Sequence, residues 1–237
     1  MKGRSTARSD AWILPVILIL LLPSWILNAE PAGELEATLK KMEQASEGFR
    51  TFSADLATVK YDALLDEFYP KETGKFYYSR ADDGSALIRW EVLKPGEKIL
   101  TIQEREALLY QPKIKSAQKY HLKENKDKAE YLALGIGQSP EELRDTFNIR
   151  YLGSEQVNGE DCAQIELTPK DPKAASMFSS IIIWVKKETG VSTRMKLVEP
   201  YKDYITVEFS NEKLNEKISR SLFSQKLPDG VDILSLN

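Results

Sequence analysis

Side chains able to do covalent or proton chemistry are scarce in this sequence. Its 237 residues hold one histidine, His121, and one cysteine, Cys162. General acid–base catalysis draws most often on histidine, and a nucleophilic serine ordinarily needs one as its base. His121 lies in Lys119-Tyr120-His121-Leu122-Lys123, near a strand end, where a solvated or structural role is the stronger reading. There is no G-x-S-x-G. No His, Cys and Asp cluster stands at metal-ligand spacing, and one cysteine with one histidine falls short of a typical zinc site. Gly135-Ile136-Gly137 is a G-x-G lacking the third glycine of a phosphate loop. Carboxylates are plentiful but scattered, and a glycosidase pair is an alternative that spacing leaves open. The inventory points away from an enzyme and predicts no cofactor and no metal.

What the sequence offers instead is apolar and aromatic surface, and strands must position it. Phe52, Phe76, Tyr77, Tyr78, Trp90, Trp184 and Phe209 all fall in period-two patterns. Each alone fits an ordinary core. Together, with little catalytic equipment, they suggest a hydrophobic binding surface. The alternation predicts ten or eleven strands, at 52–56, 74–80, 87–92, 98–103, 107–111, 116–122, 148–157, 160–168, 180–187, 192–199 and 203–210. Asp83-Gly84, Pro95-Gly96, Asn158-Gly159 and Glu188-Thr189-Gly190 are turn signals between them. The apolar parity of these strands selects Phe52, Leu56, Phe76, Tyr78, Ile88, Trp90 and Val92 as lining a binding face. On later strands it selects Leu100, Ile102, Leu109, Ile183, Leu197, Val207 and Phe209.

Helical spacing appears in three places. Leu35, Leu39, Met42 and Phe49 mark an amphipathic helix over 33–49, with Gly48 as its stop. A helical interruption spans about 124–147. Ser139-Pro140-Glu141-Glu142 there reads as a capping box, with Leu143 and Phe147 sharing a face. A short turn of helix fits 172–178. The fold class is α+β, a single curved antiparallel sheet with a few helices. About 40 helical residues give roughly 60 Å of helix, against a sheet of eleven strands about 50 Å across. Two outcomes remain open on this count: a curved vessel partly plugged by helices, or a filled core.

Residues 1–29 read as a secretory signal peptide. Lys2, Arg4 and Arg8 precede the apolar run 12–27, and Ala29 offers the cleavage point. Pro15 and Pro23 interrupt that run, which is shorter than the ~20 residues of a spanning helix. Position 30 is glutamate, which excludes lipidation at a cysteine there. Residues 30–237 then form one domain. Residues 1–29 hold three of the 33 basic residues and one of the 36 acidic, leaving 30 against 35 and a net charge of −5. That balance argues against nucleic acid and against strong attraction to anionic membranes. With one cysteine, no internal disulfide is available, so stability must come from packing.

The order of these landmarks resembles the periplasmic outer-membrane lipoprotein carrier family, LolA-like proteins. FRTFSADLATV (49–59) after a first helix is similar to that family's opening strand. GKFYYSR (74–80) followed by LIRWEVLKPGEKIL (87–100) resembles its most recognisable block. ALLYQP (107–112) and LFSQKLPDGV (222–231) are similar to later landmarks. The resemblance implies an incomplete (half) β-barrel with helices as a lid, whose apolar cavity holds the acyl chains of lipoproteins. It implies a periplasmic monomer that takes acylated lipoproteins from an inner-membrane ABC-type release complex and passes them to an outer-membrane receptor. A lipoprotein-sensing regulatory module of the same fold is the alternative. It further implies that Arg80, with Leu143 and Phe147, makes the lid contact. Two departures mark a divergent member. Ala81 stands where the family has proline, and Glu104-Arg105-Glu106 replaces an aspartate–glycine.

Overall fold

The structure, a computed structural model, describes residues 31–81, 84–103, 106–122 and 130–236. The expected signal peptide, Asp82-Asp83, Glu104-Arg105 and the first part of the helical interruption lie outside the described residues. The chain opens with α1 (Pro31–Ser46), then β1 (Thr51–Asp62), β2 (Glu67–Phe68), β3 (Glu72–Arg80), β4 (Ala86–Lys94), β5 (Lys98–Gln103), β6 (Glu106–Gln111) and β7 (Ser116–His121). After a 3₁₀ turn at Glu130–Ala133 come α2 (Pro140–Thr146), β8 (Phe147–Val157), β9 (Glu160–Pro169) and α3 (Pro172–Met177). The rest is β10 (Ser180–Lys186), β11 (Ser192–Val198), β12 (Tyr204–Leu214) and β13 (Asp232–Leu236). Among the described residues no helix is long and apolar enough to cross a membrane.

All strands join one sheet, ordered β13-β7-β6-β5-β4-β3-β1-β12-β11-β10-β9-β8, with β2 paired to β1. Among the described residues the sheet is open, because β13 and β8 end the order and are not paired to each other. The result is a curved, unclosed antiparallel sheet with a few helices, an incomplete barrel under a helical lid. Two details depart from a simple meander. The first strand sits mid-sheet between β3 and β12, and β13 runs parallel to β7. Tight turns carry the hairpins, and at Asn158-Gly159 both residues take positive φ (52° and 84°), as a type I′ turn requires.

Burial alternates along the strands because the α-helices lie on one face. On β1, Phe52, Ala54 and Leu56 are buried while Ser53, Asp55 and Ala57 are half-exposed. The opposite face has a cover too. Past β12 the chain crosses behind β4–β7, where the Phe223 ring is fully buried and the Leu222 carbonyl accepts from Arg89 at 2.9 Å. The Gln225 amide donates to the Leu108 carbonyl (2.8 Å) and to the Thr101 hydroxyl (3.0 Å). This explains why Leu87, Thr101 and Ala117, on the outer parity, are buried.

At the centre of the inner face four rings interlock. Phe52, Phe76 and Phe209 lie 5.2–6.0 Å apart, and Trp90 meets Phe76 edge-on at 5.7 Å. Phe209→Ala should lower stability by about 3–5 kcal/mol through lost burial and a residual cavity. Urea denaturation of the purified protein measures this. A loss under about 1 kcal/mol would show that the ring cluster is not the keystone of the core.

Candidate functional site

Cross-strand register settles which residues share the inner face. Phe52 pairs with Tyr78, Phe76 with Trp90 and Ile88 with Ile102. Leu100 pairs with both Trp90 and Leu109. On the other side of β1, Leu56 faces Phe209, Val207 faces Met195, Ile183 faces Met195 and Leu197 faces Ile205. Val92 follows Trp90 by two residues on β4. All fourteen residues selected by strand parity therefore lie on one face. Tyr77 and Trp184 do not. Tyr77 pairs with Ser53 and Arg89 on the outer face, and Trp184 packs with Val157 and Cys162 there.

Helices and loops lie across this face. The first helix brings Leu39 and Met42, and the following turn brings Phe49. The segment 131–147 adds Tyr131, Leu134, Ile136, Leu143 and Phe147, and the third helix ends on Phe178. Ser139 caps α2 as its sequence predicts. Its hydroxyl accepts from the Glu142 amide at 3.2 Å, and its own amide donates to Glu142 Oε2 at 3.0 Å. Phe147 is not on that helix; it opens β8, 2% exposed, against Tyr131.

Under this cover the inner face is closed. Phe52, Phe76, Ile183, Val207 and Phe209 are fully buried, within one continuous cluster that includes the lid residues. The gap beneath α2, between Tyr131, Leu143 and Phe147, measures about 10 Å³, room for a single water at most. The vessel outcome is therefore not present there as a standing void. The reason is that Phe49, Tyr131, Leu134, Ile136 and Phe178, which lie in the spans expected to be helical but outside α1, α2 and α3, pack directly onto the sheet and fill the space. Toward β4–β7 the cover thins, and Trp90, Leu100, Leu109 and Tyr120 are half-buried.

Among the described residues, these polar attachments hold the lid. Arg80 Nη2 donates to the Gly137 carbonyl at 2.7 Å, and its guanidinium lies 5.9 Å from the centre of the Phe49 ring. The Ser192 amide donates to the Gly135 carbonyl at 3.1 Å. Gly135 and Gly137 both take positive φ (75° and 67°). A Cβ on Gly137 would lie 2.1 Å from the Phe49 ring, and one on Gly135 would lie 2.8 Å from Ser192 Cβ. The G-x-G has a steric duty, seating the lid against the barrel. Two ion pairs assist: Lys187–Glu34 at 2.9 Å and Arg144–Glu36 at 3.0 Å. The Glu34 contact holds the Lys187 ammonium above its ordinary pKa.

Chemically reactive groups lie elsewhere. Burial pushes the Cys162 thiol up, away from the nucleophilic thiolate. His121 is exposed, its Nδ1 3.7 Å from a Glu106 carboxylate oxygen. Among the described residues no group of three His, Cys, Asp or Glu could hold a metal ion. The arrangement is a covered apolar surface.

The family described as outer membrane lipoprotein carrier protein LolA matches residues 61–226. No curated protein matches the sequence. Among solved structures, an uncharacterized conserved protein from Thermus thermophilus superposes with a TM-score of 0.53 at 12% identity, covering 86% of this chain and 99% of its own. A LolA superfamily protein from Nitrosomonas europaea gives 0.38 at 11% identity, covering 80% and 97%. MucB of Pseudomonas aeruginosa, in complex with MucA, gives 0.46 at 13% identity, covering 81% and 61%.

Replacing Arg80 by leucine removes a charged donor from the Gly137 carbonyl, a contact of the class worth ~1.5–3 kcal/mol. The Ser192 amide, bonded to the neighbouring Gly135, should then exchange its hydrogen at least about tenfold faster. Hydrogen exchange read by NMR measures it. Unchanged protection in the variant would remove Arg80 from lid closure.

Proposed function

The chain belongs to the LolA family of outer membrane lipoprotein carrier proteins, and on that premise we propose that it is a periplasmic carrier of acylated lipoproteins. Residues 1–29 direct export and are removed. The carrier receives its cargo from an inner-membrane ABC-type release complex and delivers it to an outer-membrane receptor. Its inner face shelters the acyl chains, and it performs no bond-making step. The observation that carries this reading is a broad apolar sheet face covered by a lid whose contacts with it are largely apolar.

The energetics favour an exchange rather than a filling. A buried methylene contributes ~0.8 kcal/mol, so a chain of some fifteen methylenes gains roughly 12 kcal/mol by leaving water. In the empty protein the same surface is satisfied by Phe49, Tyr131, Ile136 and Leu143. A chain that displaces them substitutes one apolar contact for another, so the net affinity is the difference between two large terms. That suits a carrier, which must release what it holds. The guest shifts a closed–open equilibrium by its differential affinity for the open state. Met42 and Met195, both buried in the cluster, supply unbranched side chains that repack easily. The half-covered strip at Trp90, Leu100 and Leu109 is where a chain first finds apolar contact.

Trp90→Glu places a charge on that strip, where apolar contact would leave it poorly solvated. Binding of a fluorescent long-chain acyl probe should weaken at least about tenfold, while the half-buried site lets the variant fold. Fluorescence titration of purified wild type and variant measures both affinities. Equal affinities, or a wild type that takes up no probe and releases no lipoprotein from spheroplasts, would end the carrier reading.

A further inference from the structure

Among the described residues, the two most exposed large apolar side chains, Leu64 and Tyr201, lie at one end of the barrel. Leu64 is 92% exposed and Leu65 60%, both in the turn after β1; Phe68 (64%) and Tyr69 (47%) follow, and Tyr201 (89%) stands in the neighbouring β11–β12 turn. Behind this tip Tyr61 stacks on Tyr204 at 4.8 Å and meets Phe68 at 5.0 Å. Two leucines therefore lead, with a band of aromatic rings behind them. This is the order of depth in which such side chains settle into a bilayer, apolar in the acyl region and Tyr at the interface.

The turn is built to hold the leucines out. One Asp62 carboxylate oxygen accepts from the Leu64 and Leu65 amides, both at 3.0 Å. The Ala63 amide donates to Asp203 Oδ1 at 2.9 Å, tying the turn to its neighbour. The Tyr61 hydroxyl donates to Asp66, whose backbone takes φ of 54°. Their exposure comes from a hydrogen-bonded turn, not from slack chain.

The tip also adjoins the inner face. Thr51 pairs with Ser79 beside the Arg80 latch, and Tyr61 lies ten residues further along β1, roughly 33 Å away at strand rise. At this far rim a pocket of about 330 Å³ is lined by Thr58, Lys60, Tyr69, Pro95 and Ile205. Thr58 and Ile205 carry the inner parity, and the Thr58 hydroxyl is buried without a partner.

We propose that residues 63–69 with Tyr201 form a membrane-docking tip that seats the rim of the barrel on a lipid bilayer. The occupant is a neutral lipid surface. Segment 62–71 carries Asp62, Asp66 and Glu67 against Lys71 alone, so anionic lipid adds no attraction. Docked this way, the barrel presents the pocket beside Tyr69 to the layer in which acyl chains reside. The proposal deepens the carrier reading by giving it a direct membrane contact, though docking does not require that cargo be carried.

Flotation of the full protein, with residues 1–29 removed, on phosphatidylcholine vesicles tests it. The wild type should float with the vesicles, and adding phosphatidylglycerol should not strengthen this. Leu64→Asp with Leu65→Asp should reduce binding at least about tenfold with unchanged thermal melting, since both leucines are exposed. A wild type that stays unbound, a variant that floats equally, or binding that needs phosphatidylglycerol would each overturn the proposal. So would a wild-type dimer in sedimentation velocity that the variant lacks, which would assign the tip to self-association. Acyl-probe uptake from detergent micelles separates the two readings: uptake without vesicle binding removes the tip alone, and binding without uptake removes carriage alone.

Discussion

One constraint governs the molecule: a wide sheet with a continuous apolar face cannot leave that face in water. The sheet does not close on itself, so its own strands cannot provide the cover that a complete barrel would. Described residues before β1, between β7 and β8, and in α3 with Phe178 supply it instead. They do so with apolar side chains pressed on the aromatic cluster and with a small number of polar fastenings. This division matters for function. Apolar contacts are non-directional, so the proposed carrier can exchange them for those of a guest, whereas the Arg80–Gly137 bond has one geometry.

The outer face follows a different logic. There the segment after β12 is locked by directional bonds, from Arg89 to the Leu222 carbonyl and from Gln225 to three acceptors on β5 and β6. Its parallel strand, β13, blunts the β7 edge. One face of the sheet is thus tied by hydrogen bonds while the other is covered mainly by apolar contact. The proposed carrier, which opens on one side only, makes use of this asymmetry.

Much of this was legible in the sequence because strand period and turn residues are local. Alternation located every long strand, and the parity of Phe76, Ile88 and Leu197 placed them on the inner face that register confirms. The Ser139–Glu142 capping box was equally readable, since all its atoms come from four consecutive residues. What escaped was non-local or aperiodic. Tyr77 and Trp184 were counted for being aromatic, though their positions put them outside. The tail crossing behind β4–β7 has no periodicity to read. Gly135 and Gly137 carried no signal of their seat against Phe49 and Ser192, because those neighbours are distant in sequence. Leu64-Leu65 carries no periodic signal, because an apolar pair between strands looks like connection and its exposure depends on distant contacts.

The central claim is that the closed face opens to admit an acyl chain, so the decisive quantity is a distance between lid and barrel. Spin labels at Glu141→Cys on α2 and Thr73→Cys on β3, both exposed positions, report it in a Cys162→Ser background. Pulsed electron paramagnetic resonance should give one narrow distance in the empty protein and a second, displaced population once a long-chain acyl ligand is bound. A single distribution, identical with and without bound ligand, would contradict the account.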